Sequence, residues 1–335
     1  WTDRYRECGD FEIYTPITKD LIDIMKQDRY LQCQGSEHSM IIEKILIETD
    51  VENGNHLTIT GRSLESILDR RIVWGQKTIT GNLEECVRTL LYECIINPSD
   101  EDRRIDNFIF EYSHDPAIRV LRIDAQFTGD NLYDIIVSIC KEYGIGFKIT
   151  LNDNKQFVFK LYAGKDRSYD QVANDPVIFS PEFDNILNTN YLESRSSLKT
   201  ITLIGGEGEG SERKYATVGE GKGLNRRELF TDARDINSNV GDGVVLTDEE
   251  YTSLLEQRGY EKLMENVEVV SIEGEVETGP MYEYGIDKDF YIGDIVQLVD
   301  EYGHDTKVRI IEMVKSENED GVTKCPTFET IQEGA

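Results

Sequence analysis

The residue types that usually carry out chemistry are present in this chain, but not in chemically useful arrangements. Four histidines stand at 38, 56, 114 and 304, with no HExxH pair and no cysteine at metal-ligand spacing from any of them. Six cysteines, at 8, 33, 86, 94, 140 and 325, include no CxxC. Cys86 and Cys94 are eight residues apart, on one helical face, and Cys140 sits in another apolar stripe. These read as buried thiols of a protein that folds in a reducing cytoplasm. No GxSxG elbow and no Cys/His protease signature occurs. With 65 Asp and Glu, neighbouring acids are inevitable, and a catalytic pair needs environments that push two pKa values apart. Asp100-Glu101-Asp102 and Glu317 to Asp320 match calcium loops only in charge, lacking the alternating ligands and glycine. We therefore expect no enzyme, and no catalytic, cofactor-binding or metal-binding residues.

Two further segments invite a functional reading and are better explained without one. Gly205-Gly206-Glu207-Gly208-Glu209-Gly210 follows a strand-like run, and Gly221-Lys222 resembles a phosphate loop. Ala216 stands where that motif needs its first glycine, Gly223 replaces the metal-binding hydroxyl, and Glu207, Glu209 and Glu220 would repel phosphates. The segment 205–223 is expected to be a flexible surface loop. Trp1-Thr2-Asp3-Arg4-Tyr5 interleaves aromatic and basic residues as base-stacking surfaces do, but an edge strand pinned by Trp1 and Tyr5 suffices.

What must position these residues is set by composition and pattern. The chain has 335 residues, 39% of them hydrophobic, enough for about two domains. Its net charge is −29, from 36 Lys and Arg against 65 Asp and Glu. Duplex DNA carries one negative charge per ~1.7 Å, so this surface should repel it, and the basic pairs Arg70–Arg71, Arg103–Arg104 and Arg226–Arg227 form no run. The longest purely apolar run is Ile135 to Val137, too short to span a membrane, and no signal peptide is visible. An opening on Trp1 rather than Met leads us to expect a few residues upstream.

Strands are predicted around Phe11–Ile13 and over 40–49 and 56–60, the last two joined by a turn at Asn53-Gly54. Ser63 is placed to cap a short helix through Arg71. Asn82 with Glu85 opens a helix that stops before Pro98, strands follow at 105–112 and 118–124, and a second helix runs from Leu132 to Gly144. A hairpin is predicted for 147–162, a junction for the polar stretch 166–185, and a strand for 198–204. Thr247 with Glu250 starts an acidic helix to about Asn266. Four strands over 267–276, 290–299, 307–315 and 322–330 then suggest a small barrel or sandwich.

Several segments, in order along the chain, resemble the siphophage baseplate hub proteins found at the N-terminal part of tail-associated lysins. They are Trp1-Thr2-x-Arg4-Tyr5 with Cys8-Gly9-Asp10-Phe11-Glu12, Gly61-Arg62-Ser63-Leu64 through Leu68-x-Arg70-Arg71, and Asn225-Arg226-Arg227-Glu228 with Asp232-x-Arg234-Asp235-Ile236. The last is Asp289-Phe290-x-Ile292-Gly293-Asp294-x-Val296 with Arg309-Ile310-x-Glu312. The resemblance implies kinship to myophage baseplate hubs and the N-terminal part of secretion-system spike proteins. The implied fold is α+β and β-rich, with two tail-tube-like β-barrel domains and an α/β insertion. Divided along the chain, this gives a first tube-like domain over 1–80, an α/β domain over 81–165, and a second tube-like domain over 166–335 with the long Gly/Glu loop 205–223 and the C-terminal barrel strands.

The implied function is a structural hub of a phage tail tip: a homotrimeric ring that joins tube to tip, lets DNA pass, and contacts distal tail, tape-measure or other baseplate proteins. It would be assembled in the bacterial host cytoplasm, reside in the virion, and bind no nucleic acid specifically. The alternatives are a cell-wall-degrading tail lysin and a receptor- or carbohydrate-binding tail protein. The chain stops at Ala335 without an appended peptidoglycan-cleaving domain, so lysis is not expected of this polypeptide. Gly61 and Gly293 are expected to be backbone devices, and Arg70, Arg71, Arg226 and Arg227 are candidates for links between subunits.

Overall fold

The computed structural model describes residues 1–50, 54–241, 244–275, 281–285, 288–302, 305–319 and 321–331. Strands β1 (Thr2–Arg4) and β2 (Asp10–Pro16) precede a short helix, α1 (Lys19–Ile24), whose first turn Thr18 caps by accepting the Leu21 N–H. After β3 (Tyr30–Gln32), the β-branched run forms β4 (Ser39–Asp50), which returns as β5 (Gly54–Ser63). The Glu52-Asn53 part of the predicted turn lies outside the described residues. The short helix expected after Ser63 is a 3-10 segment, Leu64–Arg70, and the Ser63 hydroxyl accepts the Gly9 N–H at 2.8 Å.

Strand β6 (Gln76–Asn82) leads into α2 (Leu83–Leu91), where Asn82 accepts the Glu85 N–H at 3.2 Å. A π-type turn, Tyr92–Ile96, ends this helix before Pro98. Strand β7 (Phe108–Glu111) follows. The strand predicted over 118–124 is divided, because Asp115 caps and Pro116 begins a helical turn, α3 (Pro116–Arg119), and extended chain resumes at β8 (Arg122–Thr128). Helix α4 (Leu132–Glu142) and the hairpin of β9 (Gly146–Leu151) and β10 (Phe157–Tyr162) lie where the pattern put them.

Next come β11 (Ile178–Phe179), β12 (Leu187–Ser194), β13 (Ile201–Gly205), β14 (Tyr215–Gly219), β15 (Glu228–Asp232), β16 (Asn239–Gly241) and β17 (Val244–Val245). Helix α5 (Asp248–Met264) carries the reciprocal Thr247/Glu250 capping box. Then follow β18 (Val269–Glu275), β19 (Ile295–Val299), β20 (Asp305–Asn318) and β21 (Gly321–Thr330).

Packing divides the chain into two units, each built from separated segments: 1–67, 146–191 and 271–335 in the first, 68–145 and 192–270 in the second. This division by packing differs from the ranges 1–80, 81–165 and 166–335 drawn along the chain. In the first unit the strand order is β12-β18-β21-β20-β1-β2-β5-β4-β3, with β19 pairing β20 and β11 lying parallel to β19. The α+β, β-rich class holds. The sheet is an open path ending at β12 and β3, however, and among the described residues no barrel closes.

Two expectations for this unit change. The Trp1–Tyr5 strand is not an edge, because β1 is held between β2 and β20. The stretch 166–185 is not a linker. Val177, Phe179 and the following Ile186 are buried with Phe290, Val296, Ile310 and Phe328, each such side chain contributing roughly 1.5–3 kcal/mol. A second cluster, Phe11, Met40, Ile42, Leu57 and Ile59, packs beneath Leu21 and Met25 around α1.

In the second unit β14-β13-β15 form a sheet against α5, burying Ile204, Ala216, Val218, Tyr251, Leu254 and Leu255. The Gly/Glu segment 205–223 is therefore largely fixed structure rather than a flexible loop. It supplies β14, its Arg213 donates to the carbonyls of Gly205 (2.7 Å) and Gly206 (3.1 Å), and its Glu207 N–H donates to the Tyr251 hydroxyl of α5 at 2.7 Å. Cys86, Cys94 and Cys140 are buried, as their spacing suggested, whereas Cys8, Cys33 and Cys325 are partly exposed.

Candidate assembly site

Of the residues that carry the family resemblance, those of the opening, Gly61 and closing motifs lie in the first unit, whereas Arg70, Arg71 and the segment 225–236 lie in the second. Tyr5 is fully buried, its ring edge-on to Tyr162 with centroids 5.2 Å apart and the Arg309 guanidinium 5.3 Å from its centroid. It accepts the Gly164 N–H at 3.2 Å. Gly293 lies against this ring with φ +91°, and a Cβ there would fall 2.3 Å from a ring carbon. Only glycine satisfies both the left-handed backbone and the contact. Arg309 also donates to the Gly293 carbonyl at 2.7 Å.

The neighbouring Asp294 gathers a loop around itself. It accepts the backbone N–H of Lys165 (2.7 Å) and Tyr291 (3.0 Å) and pairs with the nearly buried Arg167 at 2.8 Å. On the other side of β1, Arg4 pairs with Asp10 (2.6 Å) and Glu312 (2.5 Å). Burial works against the Arg4 charge, but its two carboxylates more than offset that and raise its pKa. Gly61 faces a bulge in β4 between Ile42 and Lys44, where a Cβ would lie 1.8 Å from the Ile41 carbonyl oxygen. The opening and closing motifs thus lock β1 against β20, and Gly61 seats β5 against β4 in the same sheet.

Residues that sequence reasoning passed over complete this region. His38 and Glu65, both essentially inaccessible, pair at 3.1 Å, and Glu65 also accepts the Ile149 N–H at 2.8 Å. Burial alone would favour neutral imidazole, but the charge and hydrogen bond of Glu65 overcome it and push His38 up to about 9. The carboxyl is held below its usual range, burial again being outweighed by His38. Nothing in the sequence marks two residues 27 apart as partners.

In the second unit, the half-buried Glu142 and the buried Glu261 approach each other at the contact of α4 and α5, with the Gln257 amide donating to both Glu142 oxygens at 2.8 Å. Burial pushes each up to about 7, and Glu142 adds to the rise at Glu261, where Arg258 opposes it. Arg71 donates to the Arg103 carbonyl (3.0 Å), and the Arg103 guanidinium lies 4.4 Å over exposed Trp74. Arg226 pairs with Glu228 at 2.5 Å, and Arg227 donates to the Arg195 carbonyl at 2.5 Å. Among the described residues, no group of three or more His, Cys, Asp or Glu could hold a metal, and no helix is long and apolar enough to cross a membrane.

The motifs, spread over most of the chain, lie within the match of a family model. The model described as "Siphovirus ReqiPepy6 Gp37-like protein" matches residues 1–328. The chain belongs to that family. The ordered motifs had pointed to siphophage tail proteins, and the family match bears this out.

Solved structures share the fold of this Gp37-like protein. The prophage tail protein gp18 from Listeria monocytogenes EGD-e is 14% identical with a TM-score of 0.54, over 99% of this chain and 88% of that one. The 43 kDa tail protein of prophage MuSo2 from Shewanella oneidensis is 13% identical with a TM-score of 0.54, over 99% and 92%. A tail protein from Neisseria meningitidis MC58 is 12% identical with a TM-score of 0.55, over 99% and 90%. No curated protein matches the sequence.

Proposed function

We propose that this Gp37-like protein is a structural hub of a phage tail tip, assembled as a homotrimeric ring that joins the tail tube to the tip and lets DNA pass. The observation that carries this reading is the family match over 1–328, supported by a fold shared along 99% of the chain with three tail proteins. In this reading the two units are tube-like domains, so three copies offer six such units to a sixfold tube. The Tyr5 and Asp294 locks fit a scaffold whose task is to hold shape, because they fix backbone. The neighbours would be distal tail, tape-measure or other baseplate proteins, and the site of action the virion.

Light scattering after size exclusion across a dilution series tests it. The expected mass is near three times 38.4 kDa, or rises toward it with concentration. A stable dimer overturns the ring, because a twofold particle cannot close a threefold one.

A further inference from the structure

The outer face of the β14-β13-β15 sheet points to a site of contact with another copy of the chain. Directly paired residues share a face, so the register Leu203↔Thr217, Leu203↔Phe230, Gly205↔Tyr215 and Gly205↔Asp232 places Leu203, Tyr215 and Phe230 together on the side away from α5. They are 44%, 53% and 53% exposed, whereas the alternate residues Thr202, Ile204 and Val218 are buried on the helix side.

This face is built, not merely uncovered. Gly205 has no side chain to fill the centre, and Arg213 lies across it, so close that a Cβ on Gly205 would meet the guanidinium at 2.6 Å. The guanidinium stands 5.7 Å from the Tyr215 ring centroid and 5.5 Å from that of Phe230, and is held from below by the Gly205 carbonyl and by Asp232 at 2.5 Å. Aromatic rings around an arginine already fixed in place are the composition of interface hot spots, and fixing it beforehand lowers the entropy lost on contact.

Charge argues for the occupant. Residues 201–235 carry six Lys and Arg against seven Asp and Glu, a net of −1, while the other 300 residues carry 30 against 58, a net of −28. Two copies of so acidic a chain repel over most of their surface. This nearly neutral, aromatic face is where they can approach at little electrostatic cost. We propose that Leu203, Tyr215 and Phe230, arranged around Arg213, dock against a different surface of a second copy, a head-to-tail contact of the kind that closes rings. The inference rests on the homotrimeric reading above and adds to it the face that makes the contact.

Sedimentation of wild-type protein and of Phe230→Asp and Leu203→Asp across a dilution series tests this, with thermal melting and hydroxyl-radical footprinting of Tyr215 and Phe230 alongside. The expected result is an associating wild type with both rings protected, and variants that melt as wild type does but need at least about tenfold more protein to associate. Association unchanged in both variants, with the rings still open to modification, overturns this face and leaves the trimer standing. A closed dimer broken by Phe230→Asp leaves the face as a contact but overturns the head-to-tail docking and the threefold ring. A wild type that stays monomeric at every concentration overturns both.

Discussion

At the scale of single residues, the molecule depends on a few positions where no other side chain fits. Replacing Gly293 by Ala adds a Cβ against the Tyr5 ring at a left-handed φ, and replacing Gly61 by Ala drives one into the Ile41 carbonyl. Each should cost at least ~2 kcal/mol, read as a lower urea midpoint, whereas Ala at exposed Gly35, with nothing within 4 Å, should cost less. An unchanged midpoint in Gly293→Ala would remove the locking role given to that motif.

His38 makes a second prediction at this scale. Its folded pKa of about 9 exceeds the ordinary 6.5, so the folded state holds the proton more tightly. The stabilisation is complete below pH 6.5 and is lost as pH rises through 9. Glu65, whose pKa is lowered, adds stability that is present above its ordinary 4.5 and lost as acid protonates it. Melting temperature measured from pH 6.5 to 9 should fall, and the fall should be smaller in His38→Gln. Equal slopes would mean that the pair does not titrate as described.

Among elements, α5 shows how a well-specified helix can bring a poorly tolerated pair together. Its start is fixed locally by Thr247 and Glu250, each bonding to the other's backbone, so Thr247→Ala should cost ~1 kcal/mol. One face of the same helix carries Gln257 and Glu261 to the end of α4, where Glu261 meets Glu142. Both carboxyls have folded pKa values raised to about 7 from 4.5, so the folded state binds more protons and stability falls as pH rises from 4.5 to 7. The groups around them are Arg258, Lys262, Tyr143, Asp124 and Asp235. In Glu261→Gln the melting temperature should depend less on pH across this interval. A wild-type curve that is flat there would remove the coupling.

For the whole molecule, the excess of 29 negative charges is the largest single physical fact. If part of it faces a channel, it repels DNA phosphates and keeps the genome from adhering as it slides. Glu12 on β2 and Glu48 on β4 lie on the exposed face of the first sheet, in register with Thr60 and His56. Charge reversal at both should slow DNA ejection from assembled particles, and unchanged ejection kinetics would assign the acidity to solubility alone.

Local signals settled much of this protein in advance. The Asn82 and Thr247 caps, the apolar stripe of α4, the 147–162 hairpin and the C-terminal strands were legible because caps, helical period and alternation act over a few residues. The motifs were legible too, and in order, though not what they do for one another. That Tyr5 would rest against Gly293, or Arg4 against Glu312, was decided by pairing β1 with β20, a contact across some 300 residues that no local pattern encodes. The same holds for the Gly/Glu segment. Its composition suggested a loose loop, but Arg213 and Tyr251, one within it and one on α5, hold it in place once the sheet and helix have met. Short-range chemistry chose the elements, and long-range burial and pairing chose their partners.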